Sequence, residues 1–579
     1  MLTRILSLLL TLCFIFSVFA LSSCGKDEKP AETTAPGATD PDATDPASAG
    51  SDAADETTAV VTTDKWEELA PKILMIAERD RTLKIECSER QTAVKGSKND
   101  IYLKGPDTVE DGVTPLIQVM VYERNKAAAD LLGIKTNFVF WDFEFGQQQP
   151  QIETVVQGGA ADAPDLFVNM LNDISHAMLN GVFKDVWSIP NSFFDFKADG
   201  WLDAWMHNLS FTGDRAYILG SDYFIDVFRS MSVLAFNMDM MDENAVKLAP
   251  AVLPDGETLG QGETLTPRFF DLVERGGWTW EVLGKLCEAI WVDNDGNGQD
   301  SIRDQLGLLT DTYGGDAAAA FVYTCGLPVT VEYKIEDETD EKYAEYHDKN
   351  WIKYADDPTV LNLIFNAVKG VFDGKGSFTT AMDRPGNTPE NPGLAYHYTK
   401  FAAGEVLFIG SILLAALESE SIQQMNDLFS VVPNPKVNVE DSYNTIIYNS
   451  GDVGAINVNI NPRKGKTLSA YLQYCTENSG KIRAQFQEVV MKYKVTTYDQ
   501  GTDRMLDLIY DSIYWGRDYN VEGLNTDPRW HSKMRENKFT VGSDYIANLY
   551  ESNVGMKQRM LDNVMKKWYT LPKVETEGN

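Results

Sequence analysis

Short apolar runs alternate with amphipathic helical stretches along most of this chain, and that alternation limits the fold more than any other feature. The spacing predicts a helix over 66–79 and a strand over 83–87. A clear unit follows. Thr114 is placed to cap a helix with Pro115 in its first turn. Leu116, Met120, Ala127, Ala128, Leu131 and Leu132 then share one helical side, and Gly133 ends it. A strand over 134–140, a helix over 151–157 and a strand over 166–168 come next. The rhythm returns with strands at 217–220, 233–237, 406–409, 428–432 and 455–458. Helices are predicted at 280–290 (Thr279 as cap), 361–372, 503–513 and 554–568. Strands that alternate with helices predict an α/β fold with a largely parallel sheet.

The first 64 residues stand apart from this pattern. Arg4, a nearly continuous apolar run over 5–20, and then Leu21-Ser22-Ser23-Cys24 read as an export signal ending in a lipobox. The run is short for a retained transmembrane span. Residues 1–23 are therefore expected to be removed, with Cys24 carrying the lipid. Residues 24–64 have no aromatic residue and no periodicity, and Gly25 to Asp64 holds ten acidic and two basic residues. Such a segment is expected to be a disordered, self-repelling tether.

The chain's formal charge of −35 disfavours nucleic acid and anionic lipid surfaces as partners. Five His, none in metal-ligand spacing, disfavour a His-rich zinc enzyme. Cys87, Cys287, Cys325 and Cys475 remain in the body, far apart and without a CxxC pair. Cys287 lies on the apolar side of its helix and reads as a buried thiol. One disulfide remains open for an exported chain.

One loop has metal-site spacing. Asp293, Asp295 and Asn297 fall at positions one, three and five of a twelve-residue calcium loop, with Gly298 at the turn. Gln299 offers a backbone carbonyl, Ser301 a hydroxyl, and Asp304 fills position twelve, where Glu is usual. A structural Ca2+ is expected, set against the alternative of a solvated Asp/Asn/Gly turn.

Catalytic motifs are missing: no HExxH, no G-x-S-x-G and no Rossmann glycine fingerprint. The turn at Gly465-Lys466-Thr467 lacks the first glycine of a phosphate loop, because Ile460 stands there. The 12 Trp and 24 Tyr are a further clue, with Trp141, Trp187, Trp201, Trp205, Tyr223 and Trp515 near strand ends or in loops. Flat rings suit the apolar faces of sugars, although each ring alone reads more readily as core.

In order along the chain, several segments resemble one family. They are Val121-Tyr122-Glu123-Arg124-Asn125 with Leu131-Leu132-Gly133-Ile134, Ala163-Pro164-Asp165-Leu166, and Asn180-Gly181 with Phe183-Lys184-Asp185-Val186. Gly213-Asp214-Arg215-Ala216-Tyr217, Leu234-Ala235-Phe236-Asn237-Met238-Asp239, Trp278-Thr279-Trp280-Glu281, Phe401-Ala402-Ala403-Gly404 and Val432-Pro433-Asn434-Pro435-Lys436 complete the series. The body resembles an extracellular solute-binding lipoprotein of an ABC importer, in the carbohydrate-associated branch.

The resemblance implies a two-lobed, type II periplasmic-binding-protein-like α/β fold with a ligand cleft between the lobes. Lobe I would take 65–225 and 445–495, and lobe II 226–444 and 496–579 with the C-terminal helices. It implies a monomeric, non-enzymatic protein, lipid-anchored on the outer face of the bacterial membrane, which hands a carbohydrate to permease subunits. Ligand contacts are then expected at Asn169, Asn172 and Asp173, at Asp222 and Tyr223, and at Gly410 and Ser411, where a helix N-terminus would present amides. Tyr448 and Asp452 are expected at the second crossing, with Trp201, Trp205 and Trp515 as stacking rings. A surface glycoside hydrolase using an acid pair, or an adhesin or sensor on the same fold, is the competing reading.

Overall fold

A computed structural model describes residues 65–76, 81–89, 100–142, 147–311, 316–380, 396–495, 500–524, 529–536 and 543–572. The readings made of Cys24 and of the tether lie outside these residues. Residues 63–579 form one compact unit, built on two separate main sheets.

The first sheet starts with three parallel strands. β1 (Thr82–Glu89) lies between β2 (Lys135–Asp142) and β3 (Leu166–Met170). Helix α1 (Leu116–Leu132) joins β1 to β2 and ends at Gly133, whose φ of 61° is readily adopted only without a Cβ. Thr114 does not cap it. Pro115 holds the cap position, and the Thr114 hydroxyl accepts the Glu110 N–H at 3.0 Å. Helix α2 (Gln148–Gln157) leads to β3, and α3 (Leu171–Met178) follows β3 directly.

The chain then crosses at Ser230–Ser232 and returns at Ile446–Tyr448. The two crossings pair antiparallel, with Ser232 N–H donating to the Ile446 carbonyl and Tyr448 N–H to the Ser230 carbonyl, both at 3.0 Å. Between them lies the second lobe: β4 (Ser232–Asn237), β5 (Leu306–Asp311), the hairpin β6 (Thr330–Lys334) and β7 (Asn350–Tyr354), β8 (Ser377–Thr380), β9 (Val406–Leu413) and β10 (Phe429–Val432). Its main sheet runs β10-β4-β9-β5-β8, with β5 parallel to both neighbours and β4 antiparallel to both of its own. In helix Trp280–Ile290 the Thr279 side chain accepts from Val282 N–H, as its sequence position predicts.

After the return, β11 (Asp452–Ile456) adds antiparallel to β3 and closes the first sheet as β11-β3-β1-β2. A Cβ on Gly454 would stand 2.3 Å from the Phe224 ring, so this strand needs glycine to approach its neighbour. The predicted strand at 217–220 is only a single bridge, Leu219 to Gly454, on the edge of β11 away from β3.

Four C-terminal helices complete the body: α4 (Gln500–Asp511), α5 (Arg517–Leu524), α6 (Trp530–Glu536) and α7 (Ser543–Thr570). The middle of α7 packs on the second lobe. Trp351 Nε1 donates to Asp562 at 2.8 Å, and Lys557 pairs with Glu522 of α5 at 2.7 Å, both side chains at 0% exposure. Its far end reaches the first lobe. Trp568 packs edge-on to Tyr217 with ring centroids 5.3 Å apart, and its Nε1 donates to the Thr212 hydroxyl at 2.7 Å. The C-terminal helices, expected on lobe II alone, therefore tie both lobes together. Cys87, Cys287, Cys325 and Cys475 are buried and form no disulfide. Among the described residues no helix is long and apolar enough to cross a membrane.

Candidate functional site

In a parallel α/β sheet the strand C-terminal ends face the crevice where ligands bind. In the first lobe that edge carries an unusual polar group. β1 is a central strand covered on both faces, a setting normally filled by apolar side chains. Leu83, Ile85 and Cys87 fill one face, but Glu86 and Ser88 occupy the other, at 0% and 2% exposure. Asn169, from β3, donates through Nδ2 to Glu86 Oε1 at 3.4 Å and to Gln148 Oε1 at 3.2 Å. Gln148 in turn donates to the Asp142 carbonyl at 3.0 Å. Glu86 Oε2 and Ser88 Oγ have no hydrogen-bond partner. Burial pushes the Glu86 carboxyl well above its ordinary value, opposed by the Asn169 hydrogen bond and reinforced by the Asp452 carboxylate.

Gln148 separates this cluster from an open groove of about 640 Å³, which is also lined by Asp142, Gln147, Pro150, Gln151, Thr154 and Val155. The groove therefore offers three glutamine side chains, the Thr154 hydroxyl and the Asp142 carboxyl at the C-terminal end of β2.

On the crossing side, α3 faces α5. Asn172 N–H donates to the Asn449 carbonyl at 2.9 Å, and Asn449 N–H reaches the Tyr519 hydroxyl at 3.4 Å. A Cβ on Gly523 would lie 3.8 Å from Asn172 Oδ1, so the two lobes come close at this point.

The raised Glu86 carboxyl has a stability consequence. The unfolded carboxyl ionises near its ordinary value, whereas the folded one resists. Stability is therefore lost as pH climbs from the unfolded pKa toward the folded one. Glu86→Gln, which cannot ionise, is expected to melt higher than the wild type at neutral pH and to match it near pH 4. Parallel pH-melting curves for the two proteins would contradict this.

The expected ligand contacts divide. Asn169 sits in the polar cluster, and Asn172 lies at the α3–α5 approach. Asp173 is buried in the first turn of α3. Asp452 lies buried at the start of β11, its N–H donating to Asp226 at 2.9 Å, and Tyr448 is buried beside the crossing. Trp515 is half-buried with the Arg517 guanidinium 5.0 Å over its ring.

Others are packed into the interior. Trp201 donates to Gln473 at 2.9 Å and meets the Phe194 and Phe196 rings. Trp205 lies against Gly220 and Gly516. Asp222 accepts from Arg483 at 3.2 Å and from the Tyr510 hydroxyl at 3.0 Å. Tyr223 is buried beside Tyr471, with the Arg124 guanidinium 4.6 Å over its ring.

No helix starts at Gly410. β9 continues through Leu413, and Gly410 pairs with Thr310 of β5, so its backbone belongs to the sheet. Ser411 lies in the same strand, with its side chain outside the described residues. Sequence reading missed Glu86, Ser88 and Gln148. The available signal was a polar pair in a strand whose neighbours make it central.

The acidic loop after helix Trp280–Ile290 is closely folded. Carboxylate oxygens of Asp293, Asp295 and Asp304 lie within 4.8 Å of one another. Asp293 accepts from the amides of Gly298 at 2.7 Å, Gly296 at 2.6 Å and Asn297 at 3.2 Å, which hold its carboxyl below the ordinary value. Ser301 donates to Asp295 at 2.9 Å, and Asp304 accepts from the amides of Asn294 and Ser301. The Asn297 side chain accepts from Gln299 N–H at 2.6 Å.

No family model matches the chain, and no curated protein sequence matches it. Among solved structures it is similar to a cyclo/maltodextrin-binding protein complexed with maltotetraose, at 14% identity over 87% of this chain and 99% of that one, with a TM-score of 0.44. It is similar to RafE from Streptococcus pneumoniae at 14% identity over 85% of this chain and 98% of that one, TM-score 0.43. A third likeness is to UspC of M. tuberculosis, at 12% identity over 83% of this chain and all of that one, TM-score 0.46.

Proposed function

We propose that this chain captures a carbohydrate, in oligosaccharide form, between its two lobes and delivers it unchanged to the permease of an ABC importer. The observation that carries this reading is the pairing of an antiparallel double crossing with a polar groove at the strand C-terminal ends. A crossing of that kind supplies a hinge. The groove supplies amides, hydroxyls and carboxyls suited to a polyhydroxyl ligand. Ligand that touches both lobes stabilises the closed form by its differential contacts. In this reading Cys24 bears the lipid, residues 25–64 hold the monomeric body off the outer face of the bacterial membrane, and no reaction is catalysed.

The test is a melting screen with mono- and oligosaccharides, followed by chromatography of the recovered sugar. A raised melting temperature with intact sugar supports capture. Cleaved sugar would favour the hydrolase reading, and no shift with any saccharide would sink both.

The loop from Asp293 to Asp304 is proposed to hold a structural Ca2+. Asp293, Asp295, Asn297, Ser301 and Asp304 would supply side-chain oxygens and Gln299 its carbonyl. Three converging carboxylates support this. Melting is expected to fall by several degrees in chelator and to recover with added calcium, with no such difference in D293N/D295N. Identical melting of the wild type with and without chelator would reject the metal.

A further inference from the structure

Buried polar atoms in native proteins are almost always paired, so two orphans side by side need a reason. Glu86 Oε2 and Ser88 Oγ are such a pair, two residues apart on one face of β1. We propose that Glu86 and Ser88 are the buried anchor of the saccharide site, and that this dry, unpaired polar pair takes neutral saccharides in preference to those bearing a carboxylate or an ammonium group. This rests on the capture reading above and adds a ligand class to it.

The chemistry matches on both sides. A sugar hydroxyl donates and accepts at once; so do a protonated carboxyl and a serine hydroxyl. Burial pushes the Glu86 carboxyl well above its ordinary value, against the hydrogen bonds from Asn169 and the Val168 backbone. β3 presents Asn169 and α2 presents Gln148, both neutral. β11 brings the Asp452 carboxylate, which opposes ionisation further. The other titratable groups on the elements around the cluster are Lys84 on the same face of β1, Lys135 and Asp142 at the two ends of β2, Glu153 of α2, and Asp173 and His176 of α3. Lys84 is turned to Asp162 and Lys135 is exposed, so among these described groups no cation compensates an ionised Glu86. A uronate would add a negative charge to this acidic surround. An ammonium sugar would need the ionised Glu86 that burial disfavours. Entry runs through the groove beside Gln148, whose side chain must give way to a ligand hydroxyl.

The test titrates the mature chain with neutral gluco- and galacto-oligosaccharides, with uronate oligomers and with glucosamine oligomers, from pH 5 to pH 8. Neutral sugars are expected to bind most tightly, with affinity falling as pH rises and Glu86 begins to ionise. Glu86→Ala should weaken binding about tenfold or more, and Ser88→Ala several-fold. Glu86→Gln should recover most of the loss seen in the alanine variant and flatten the pH profile. Tighter binding of the uronate or glucosamine oligomers would overturn the proposal. So would folded alanine variants that bind neutral sugar like the wild type, while leaving the capture reading standing. If Glu86→Ala does not fold, an unchanged Ser88→Ala together with a Glu86→Gln that keeps the wild-type pH slope overturns it equally. A wild type that binds no saccharide defeats the capture reading, and this inference with it.

Discussion

Glu522→Ala is expected to cost about 3–5 kcal/mol of stability, because it takes the carboxylate from beside the Lys557 ammonium in a site closed to solvent. Both partners have 0% side-chain exposure and lie 2.7 Å apart. Glu522 also accepts the Tyr354 hydroxyl at 2.9 Å and Trp530 N–H at 3.3 Å, so its removal takes an acceptor from those groups as well. Lys557 is stacked 4.8 Å over the Trp530 ring, which cannot replace a carboxylate. Urea denaturation at neutral pH measures the loss. Replacing both partners with apolar residues of similar size is expected to recover most of it, since a buried pair gains little over good packing. A loss below about 1 kcal/mol for Glu522→Ala would show that water reaches this site. Affinity should fall with stability, because α5 is the helix that brings Tyr519 and Gly523 up to α3.

Trp568→Ala is expected to loosen the tie between the lobes as well as to cost about 3–5 kcal/mol. At 28 residues, α7 is about 42 Å long. It is held on the second lobe by Trp351, Glu522 and Lys342. On the first lobe it is held by Phe211, Thr212 and Tyr217, with the Tyr217 hydroxyl donating to the Pro572 carbonyl at 3.3 Å. A helix held by its middle on the second lobe and by its C-terminal end on the first resists separation of the two. Without the indole, the ligand-free protein should open further and show a larger radius of gyration in solution scattering. An unchanged radius, with the expected loss of stability, would make α7 a brace for the second lobe alone.

Elements with strong local signals were legible in the sequence. The α1 helix ends where Gly133 predicts, and Thr279 caps its helix, because both depend on contacts within a few residues. Where distant segments decide, local reading falls short. The predicted strand at 217–220 keeps only the Leu219 bridge to β11, and β9 runs four residues beyond 409 because β4 and β5 flank it. Several aromatics read as stacking rings, such as Trp205, are core, since a Trp beside Gly220 and Gly516 fills space that only the tertiary fold creates. Glu86 was the converse case. The sequence predicts a strand over 83–87 but does not show which of its faces is covered; only the packing of the whole parallel sheet buries Glu86 and Ser88. The tie made by α7 has no local signature, because it joins residues more than 350 positions apart.

The most direct test measures the distance between the lobes as ligand is added. The four body thiols are buried, so labels go to new cysteines at exposed positions, Leu116 on the first lobe and Leu363 on the second. Pulsed dipolar spectroscopy on the Leu116→Cys/Leu363→Cys protein should give a broad distance distribution without sugar. With a saturating oligosaccharide it should change to one narrow distance, with the sugar recovered intact. A distribution that does not move at saturation would contradict a hinged clamp.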